Sequence, residues 1–330
     1  MTAEAAALPT GRGGARLALE RLRRNPAAWG SAIVLAAILI ACFPLASVWV
    51  HVACGHGPND QNIQGYVTDG GHRVPVVALD GTPIGPGWRA CYLLGADSNG
   101  RDLMVRLLYG GRVSLEVGIG SAVVCVGVAL VLALLAGYTG GVVDAGISRS
   151  LDLIWAFPVY LLAVALATSL AVGGLRLGPL HVASTSLLLP IVVIAVVYIP
   201  YVARPIRGQV LGLRRMEFVD AAVATGAGPI RIMVRELLPN VASIALVLMT
   251  LIIANNILTE AALSFLGVGV PVLTPSWGNI IQQGYSSIVT APALTVTPGI
   301  AIMLTVVSLN VLGDALRDAL DPHARIRIRG

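Results

Sequence analysis

Long apolar runs alternate with short polar intervals along the whole chain. Runs near residues 29–50, 113–136, 150–172, 182–201, 241–263 and 294–312 are each long enough, as helices rising about 1.5 Å per residue, to cross a hydrocarbon core of about 30 Å. The pattern predicts an all-α integral membrane protein with six transmembrane helices. Pro158, Pro190 and Pro200 fall in these runs, where neighbouring helices can re-satisfy the freed backbone groups. A basic segment with Arg12, Arg16, Arg21, Arg23 and Arg24 precedes the first run, with leucines interleaved as in a short surface helix. That run exceeds a signal-peptide core of about 7–15 residues, so it reads as an uncleaved first span. The expected organisation is a cytoplasmic segment 1–28, a first span 29–50, an extracytoplasmic insertion and interfacial helix 51–112, a five-helix core 113–312, and a basic tail 313–330.

One polar interval is patterned differently from the rest. Residues 217–240 read as two short helices. Phe218, Ala221, Ala222 and Thr225 share one helix face by their spacing. Gly226 to Gly228 break that helix, and Pro229 suits the first position of a second. Ile230, Met233, Val234 and Leu237 repeat the spacing, with Arg231 and Arg235 on another face. Leu238, Pro239 and Asn240 are expected to end the helix before the next span. A helix–turn–helix with one greasy and one basic face at a membrane surface is suited to docking into a partner's groove.

The insertion differs in composition, being rich in Gly, Pro, Asp and Asn. A hairpin is expected over 74–84, turning at Asp80-Gly81. His51, Cys54 and His56 lie close in sequence, but with no fourth ligand in view they read as loop residues, and no metal is assigned. Cys54 and Cys91 are candidates for a disulfide in an oxidising compartment, while Cys42 and Cys125 read as apolar fillers within spans. After the insertion, Arg101 to Tyr109 reads as an interfacial helix whose arginines snorkel to water. Glu116, just inside the second span, reads as an edge anchor. In the fifth span, Asn255 and Thr259 share a face, as do Asn256 and Glu260. These four are candidates to line a path or to bind neighbouring helices. Trp277 and Tyr285 suit the outer membrane interface.

Composition agrees with this picture. The chain has 330 residues, 56% of them hydrophobic and 12% charged, against about a quarter charged in soluble domains. Its mean hydropathy is +0.82. No lysine occurs, so the chain lacks the lysine of a phosphate-binding P-loop and cannot hydrolyse ATP in that way. The net charge of +5 comes from arginines beside spans, a sign of membrane orientation and not of nucleic-acid binding. Arginines at 204, 207, 214, 215, 231 and 235 contrast with their absence from 264–293, which puts 202–240 in the cytoplasm. A basic tail with Arg325, Arg327 and Arg329 returns the C-terminus to the same side.

Three blocks carry a family resemblance. Asp220-Ala221-Ala222, Gly226 and Leu238-Pro239 resemble the EAA loop of binding-protein-dependent importer permases of the ATP-binding-cassette class, with Asp220 where Glu is usual and Glu236 where many members are apolar. Residues 94–115 resemble the segment before the second span in the dipeptide, oligopeptide and nickel branch. Residues 260–267, Pro275 to Gly278 and the closing 313–322 resemble the same branch. The resemblance implies a permease of the bacterial plasma membrane with both termini cytoplasmic and no cofactor of its own. It implies a sister permease, two ATPase subunits and an extracytoplasmic solute-binding protein as partners. It further implies ATPase coupling through Asp220, Ala221, Ala222, Gly226, Arg231, Arg235, Glu236, Leu237, Leu238 and Pro239. The implied cargo is short peptides, with nickel chelates, opines or glycosides as alternatives. An ion-coupled secondary transporter is the rival class. It calls for paired charges at span centres and broken helices in related halves, and Glu116 and Glu260 lie toward span ends.

Overall fold

The computed structural model describes residues 25–177 and 180–320. The arginines at 12–24 and the closing stretch 321–330 lie outside the described residues. Helix α1 (Pro26–Ile40) starts on the Asn25 side chain, which accepts the Ala27 and Ala28 N–H groups. It continues through a π-helical turn (Ala41–Leu45) around Pro44, a short α2 (Ala46–Trp49) and a second π-helical turn (Val50–Cys54). Proline has no N–H to give, and the wider turn shifts the hydrogen-bond register past it without ending the helix.

The insertion holds a hairpin of β1 (Tyr66–Asp69) and β2 (His72–Pro75), paired from Tyr66–Pro75 to Asp69–His72 around Gly70-Gly71. It precedes the hairpin expected over 74–84. That expected stretch keeps its turn at Asp80-Gly81 but is reduced to one Val77–Pro83 bridge.

Helix α3 (Leu103–Thr139) is 37 residues long, about 55 Å at 1.5 Å per residue. It joins the expected interfacial helix and second span into one rod. Gly110 and Gly111 lie inside it, and Ile280 at the first and Cys42 with Trp277 at the second pack where a side chain would begin.

Helices α4 (Gly141–Trp155) and α5 (Val159–Ala171) meet at a bend of 90°. The run expected as one span over 150–172 is therefore entered through a helix that starts at Gly141, and it is broken at Pro158. Proline disfavours a helical residue before it, and Pro158 itself is extended. Two three-residue strands, β3 (Leu175–Leu177) and β4 (Leu180–Val182), follow.

Helix α6 (Leu188–Leu213) carries Pro200 and Pro205 inside it. Helices α7 (Glu217–Ala224) and α8 (Pro229–Arg231) form the patterned interval. A π-helical stretch (Ile232–Leu237) then leads without a break into α9 (Leu238–Phe265). Short α10 (Trp277–Gly284) and long α11 (Ala293–Leu320) are the last helices among the described residues, with α11 running past the expected span end at 312. Among the described residues, five helical stretches are long and apolar enough to cross a membrane, or six with the bent pair as one span.

The core is centred on α3, which packs most extensively on α6 and then on α9. Ala122, Ala129, Ala133, Ile194, Val202 and Ile206 are fully buried in it. Small residues permit this close approach where lipid supplies no hydrophobic drive between helices. At Gly118 a Cβ would collide with Ile257 of α9. A second cluster joins the π-helical turn after α1 to α3, α9, α10 and α11 through Cys42, Leu115, Ile257, Trp277 and Ile302. Cys42 and Cys125 are free and buried.

Candidate functional site

At one end of the bundle, α7 and α8 form the helix–turn–helix. Glu217 and Asp220 occupy the first turn of α7, where the helix dipole favours negative charge. Val219 is buried against the bundle and anchors the helix, leaving Phe218, Ala221 and Asp220 exposed. The turn uses Gly226 at φ 80°, with Ala227 N–H donating to the Ala222 carbonyl at 3.0 Å. This left-handed helix end suits glycine.

Beyond Pro229 the structure splits the expected apolar face. Ile232 and Leu237 are buried, whereas Ile230 and Val234 are 72% and 52% exposed beside Arg231 and Arg235. The cause is the π-helical stretch, in which Leu238 N–H donates to the Met233 carbonyl five residues back. Spacing rules for an α-helix fail there. The same wide turn lets the helix pass Pro239, so Leu238, Pro239 and Asn240 do not stop it. Ile230, Arg231, Val234 and Arg235 line one shallow hollow. A second hollow, between the two helices, is lined by Phe218, Ala221, Ala222, Thr225 and Glu236 among others. Arg231 and Arg235 form no ion pair among the described residues.

Three other arginines of this end are committed within the chain, while Arg149, Arg215 and Arg317 are exposed and form no ion pair among the described residues. Arg207 of α6 holds Asp144 of α4 with two bonds of 2.5 and 2.6 Å. Arg204 donates to Asp152 at 2.6 Å and lies over the Trp155 ring at 4.4 Å. Arg214 donates to the Gly137 and Tyr138 carbonyls. The first two contacts clamp the broken span to α6, and the third ties the end of α6 to α3. They were missed from sequence, although Asp144 and Asp152, two turns apart on one face, were a usable signal.

The polar half of α9 is mostly inside the chain's own packing. Asn256, Thr259 and Glu260 are fully buried, and Asn255 is exposed. Asn256 bonds with Ser121 of α3. Thr259 and the Tyr198 hydroxyl of α6 are 2.9 Å apart. Glu260 accepts from Ser264 at 2.7 Å, with Ser114 and Ser276 beside it.

At the opposite end, the arginines expected to snorkel are buried. Arg101 donates to Asp97 at 2.7 Å, and Arg101 and Arg106 both donate to the Gln283 amide oxygen at 2.8 and 2.9 Å. Arg106 is 1% exposed. This knot ties the insertion, α3 and α10 together. Trp277 is buried too, against its expected interfacial place, with its indole donating to the Leu107 carbonyl. Tyr285 is exposed, and Glu116 pairs with Arg112 at 2.9 Å. Cys54 and Cys91 are joined as a disulfide. Tyr92 is buried beside it, its hydroxyl donating to the Gly100 carbonyl at 3.2 Å, and burial pushes that hydroxyl above its ordinary pKa.

Residues 129–326 match the family described as binding-protein-dependent transport system inner membrane component. The glutathione transport system permease protein GsiD of Pectobacterium atrosepticum is 38% identical over 242 residues, covering 73% of this chain and 76% of the relative. The dipeptide transport system permease protein DppC of Alkalihalophilus pseudofirmus is 39% identical over 231 residues, covering 70% and 72%. Among solved structures, a chain of the MetNI methionine ABC transporter in an inward-facing conformation matches with a TM-score of 0.50 and 21% identity, covering 66% of this chain and 98% of that one. That likeness concerns the fold.

Proposed function

The chain belongs to the family of binding-protein-dependent transport inner membrane components, and from that premise we propose that it forms half of the translocation path of an ATP-driven importer of short peptides. The surface made by α7, α8 and the π-helical stretch docks on a cytoplasmic ATPase subunit. The observation that carries this reading is that unpaired arginines and exposed apolar side chains share one hollow on this surface. Arg204, Arg207 and Arg214 are used internally, while Arg231 and Arg235 stand beside exposed Ile230 and Val234 with no partner among the described residues. Apolar side chains and unpaired cations presented together suit a protein groove with an acidic rim.

On this reading a sister permease completes the path, an extracytoplasmic binding protein delivers the cargo, and ATP is hydrolysed by the partners. Closure of the ATPase pair moves the docked segment as a rigid body. Because the π-helical stretch runs straight into α9, that motion passes into the span bearing Asn255, which faces the path. Asn256, Thr259 and Glu260 hold α9 to α3 and α6. Peptide cargo is supported by the names of the relatives, which include dipeptide and glutathione permeases.

The test is co-purification of the tagged chain with its ATPase subunits, for the parent and for Gly226→Pro. Proline cannot adopt the φ of 80° at this turn. The expected result is loss of the ATPase with the chain still in the membrane. Full ATPase retention by the variant would remove the docking assignment.

A further inference from the structure

Cys54, His56, Cys91 and Asp102 each bring one potential ligand atom to a common point, all within 4.8 Å of one another. They arrive from three places: the π-helical turn that ends the first span, the far side of the insertion, and the N-cap of α3. Only Cys54 and His56 are neighbours in sequence. His51, the third member of the sequence cluster, is exposed and is not part of the group.

His56 Nε2 is buried with no hydrogen-bond partner among the described residues. A buried imidazole nitrogen without a partner is costly unless something occupies it. Asp102 spends one oxygen on the Met104 and Val105 N–H groups, at 2.8 and 3.2 Å. Its other oxygen takes the Tyr92 N–H at 2.6 Å and keeps a second lone pair.

We propose that the dithiol form of this cluster binds one zinc-like divalent cation through the Cys54 and Cys91 thiolates, the His56 imidazole and the Asp102 carboxylate. Two sulfurs, one nitrogen and one oxygen make a donor set that zinc accepts. Tetrahedral ligands at about 2.0–2.3 Å from zinc lie roughly 3.3–3.8 Å from each other. Side-chain rotation brings atoms already within 4.8 Å to those positions.

The disulfide and the metal exclude each other, because they use the same sulfurs. An external dithiol reductant converts one form to the other. Two electrons and two protons pass to the Cys54 and Cys91 sulfurs, the S–S bond breaks, and the reductant leaves as its own disulfide. Zinc then displaces the two thiol protons to solvent. The forms fasten different parts: the disulfide ties the insertion to the end of the first span, and the metal adds the N-cap of α3 beside the Arg101–Arg106 knot.

The full-length chain in detergent, reduced anaerobically with a phosphine, is given zinc, freed of excess and assayed for bound metal. The reduced chain should hold one zinc, and the oxidised chain and a Cys54→Ser/Cys91→Ser variant none. Cobalt in place of zinc should show thiolate-to-metal charge-transfer bands, and His56→Ala should weaken binding about tenfold or more. Zinc should also raise the thermal unfolding midpoint of the reduced parent, a readout that does not depend on any variant folding. Reduced chain with no more zinc than the double-serine variant, no shift in midpoint, or His56→Ala binding like the parent would each overturn the proposal.

Discussion

The two ends of the bundle treat charge in opposite ways. At the insertion end, Asp97, Arg101 and Arg106 are buried together and closed off by Gln283, a residue nearly two hundred positions away in the chain. At the other end, Arg231 and Arg235 stand in the open beside Ile230 and Val234. A buried charge must find its partner within the fold, because removal from water costs several kcal/mol. An exposed one need not. The first arrangement makes a rigid joint; the second leaves a surface whose completion lies outside the chain.

The comparison predicts where a change shows itself. The largest effect on folding should come from Asp97→Ala, which leaves two buried arginines without their carboxylate. The expected loss is about 3–5 kcal/mol, seen as poor membrane accumulation and a lower unfolding midpoint in detergent. Next comes Gly118→Val, which forces α3 away from Ile257 of α9. Overpacking of this kind costs about 1–3 kcal/mol, read by thermal unfolding of the purified chain. Asp144→Asn removes the charge that Arg207 grips on a partly exposed surface, and should cost about 1 kcal/mol by the same measurement. Arg231→Glu/Arg235→Glu should change stability by no more than about 0.5 kcal/mol and yet abolish uptake of a short peptide in cells. A double variant as unstable as Asp97→Ala would erase the distinction between the two ends.

The same contrast explains what was legible in the sequence. The apolar runs carry most of the spans, because a membrane demands length and hydropathy from each span by itself. The helix–turn–helix was legible through Gly226 and Pro229, whose backbone demands are local. Arg106 was misread as snorkelling because its partner Gln283 is remote, and no spacing rule links them. The interfacial helix expected over Arg101 to Tyr109 runs on through Gly110-Gly111 into the second span, and the room Gly111 makes for Cys42 and Trp277 is likewise a tertiary fact. The bend at Pro158 and the π-helical turn before Pro239 show one residue type ending a helix in one place and being bypassed in another. Hydrogen-bond register decides between the two outcomes, and apolar periodicity carries no record of it. The four-residue cluster at the disulfide was half visible, since Cys91 and Asp102 reach it only through the fold.

The most direct test of the central claim is site-specific photo-crosslinking of the assembled importer in its native membrane. A crosslinker placed at Ile230 or Ala221 should capture a P-loop ATPase, identified by mass spectrometry, and the capture should disappear in the Gly226→Pro background. The same crosslinker at exposed Leu79, in the insertion, should never capture it. Crosslinks from Ile230 and Ala221 to lipid alone, or ATPase capture from Leu79, would contradict the account.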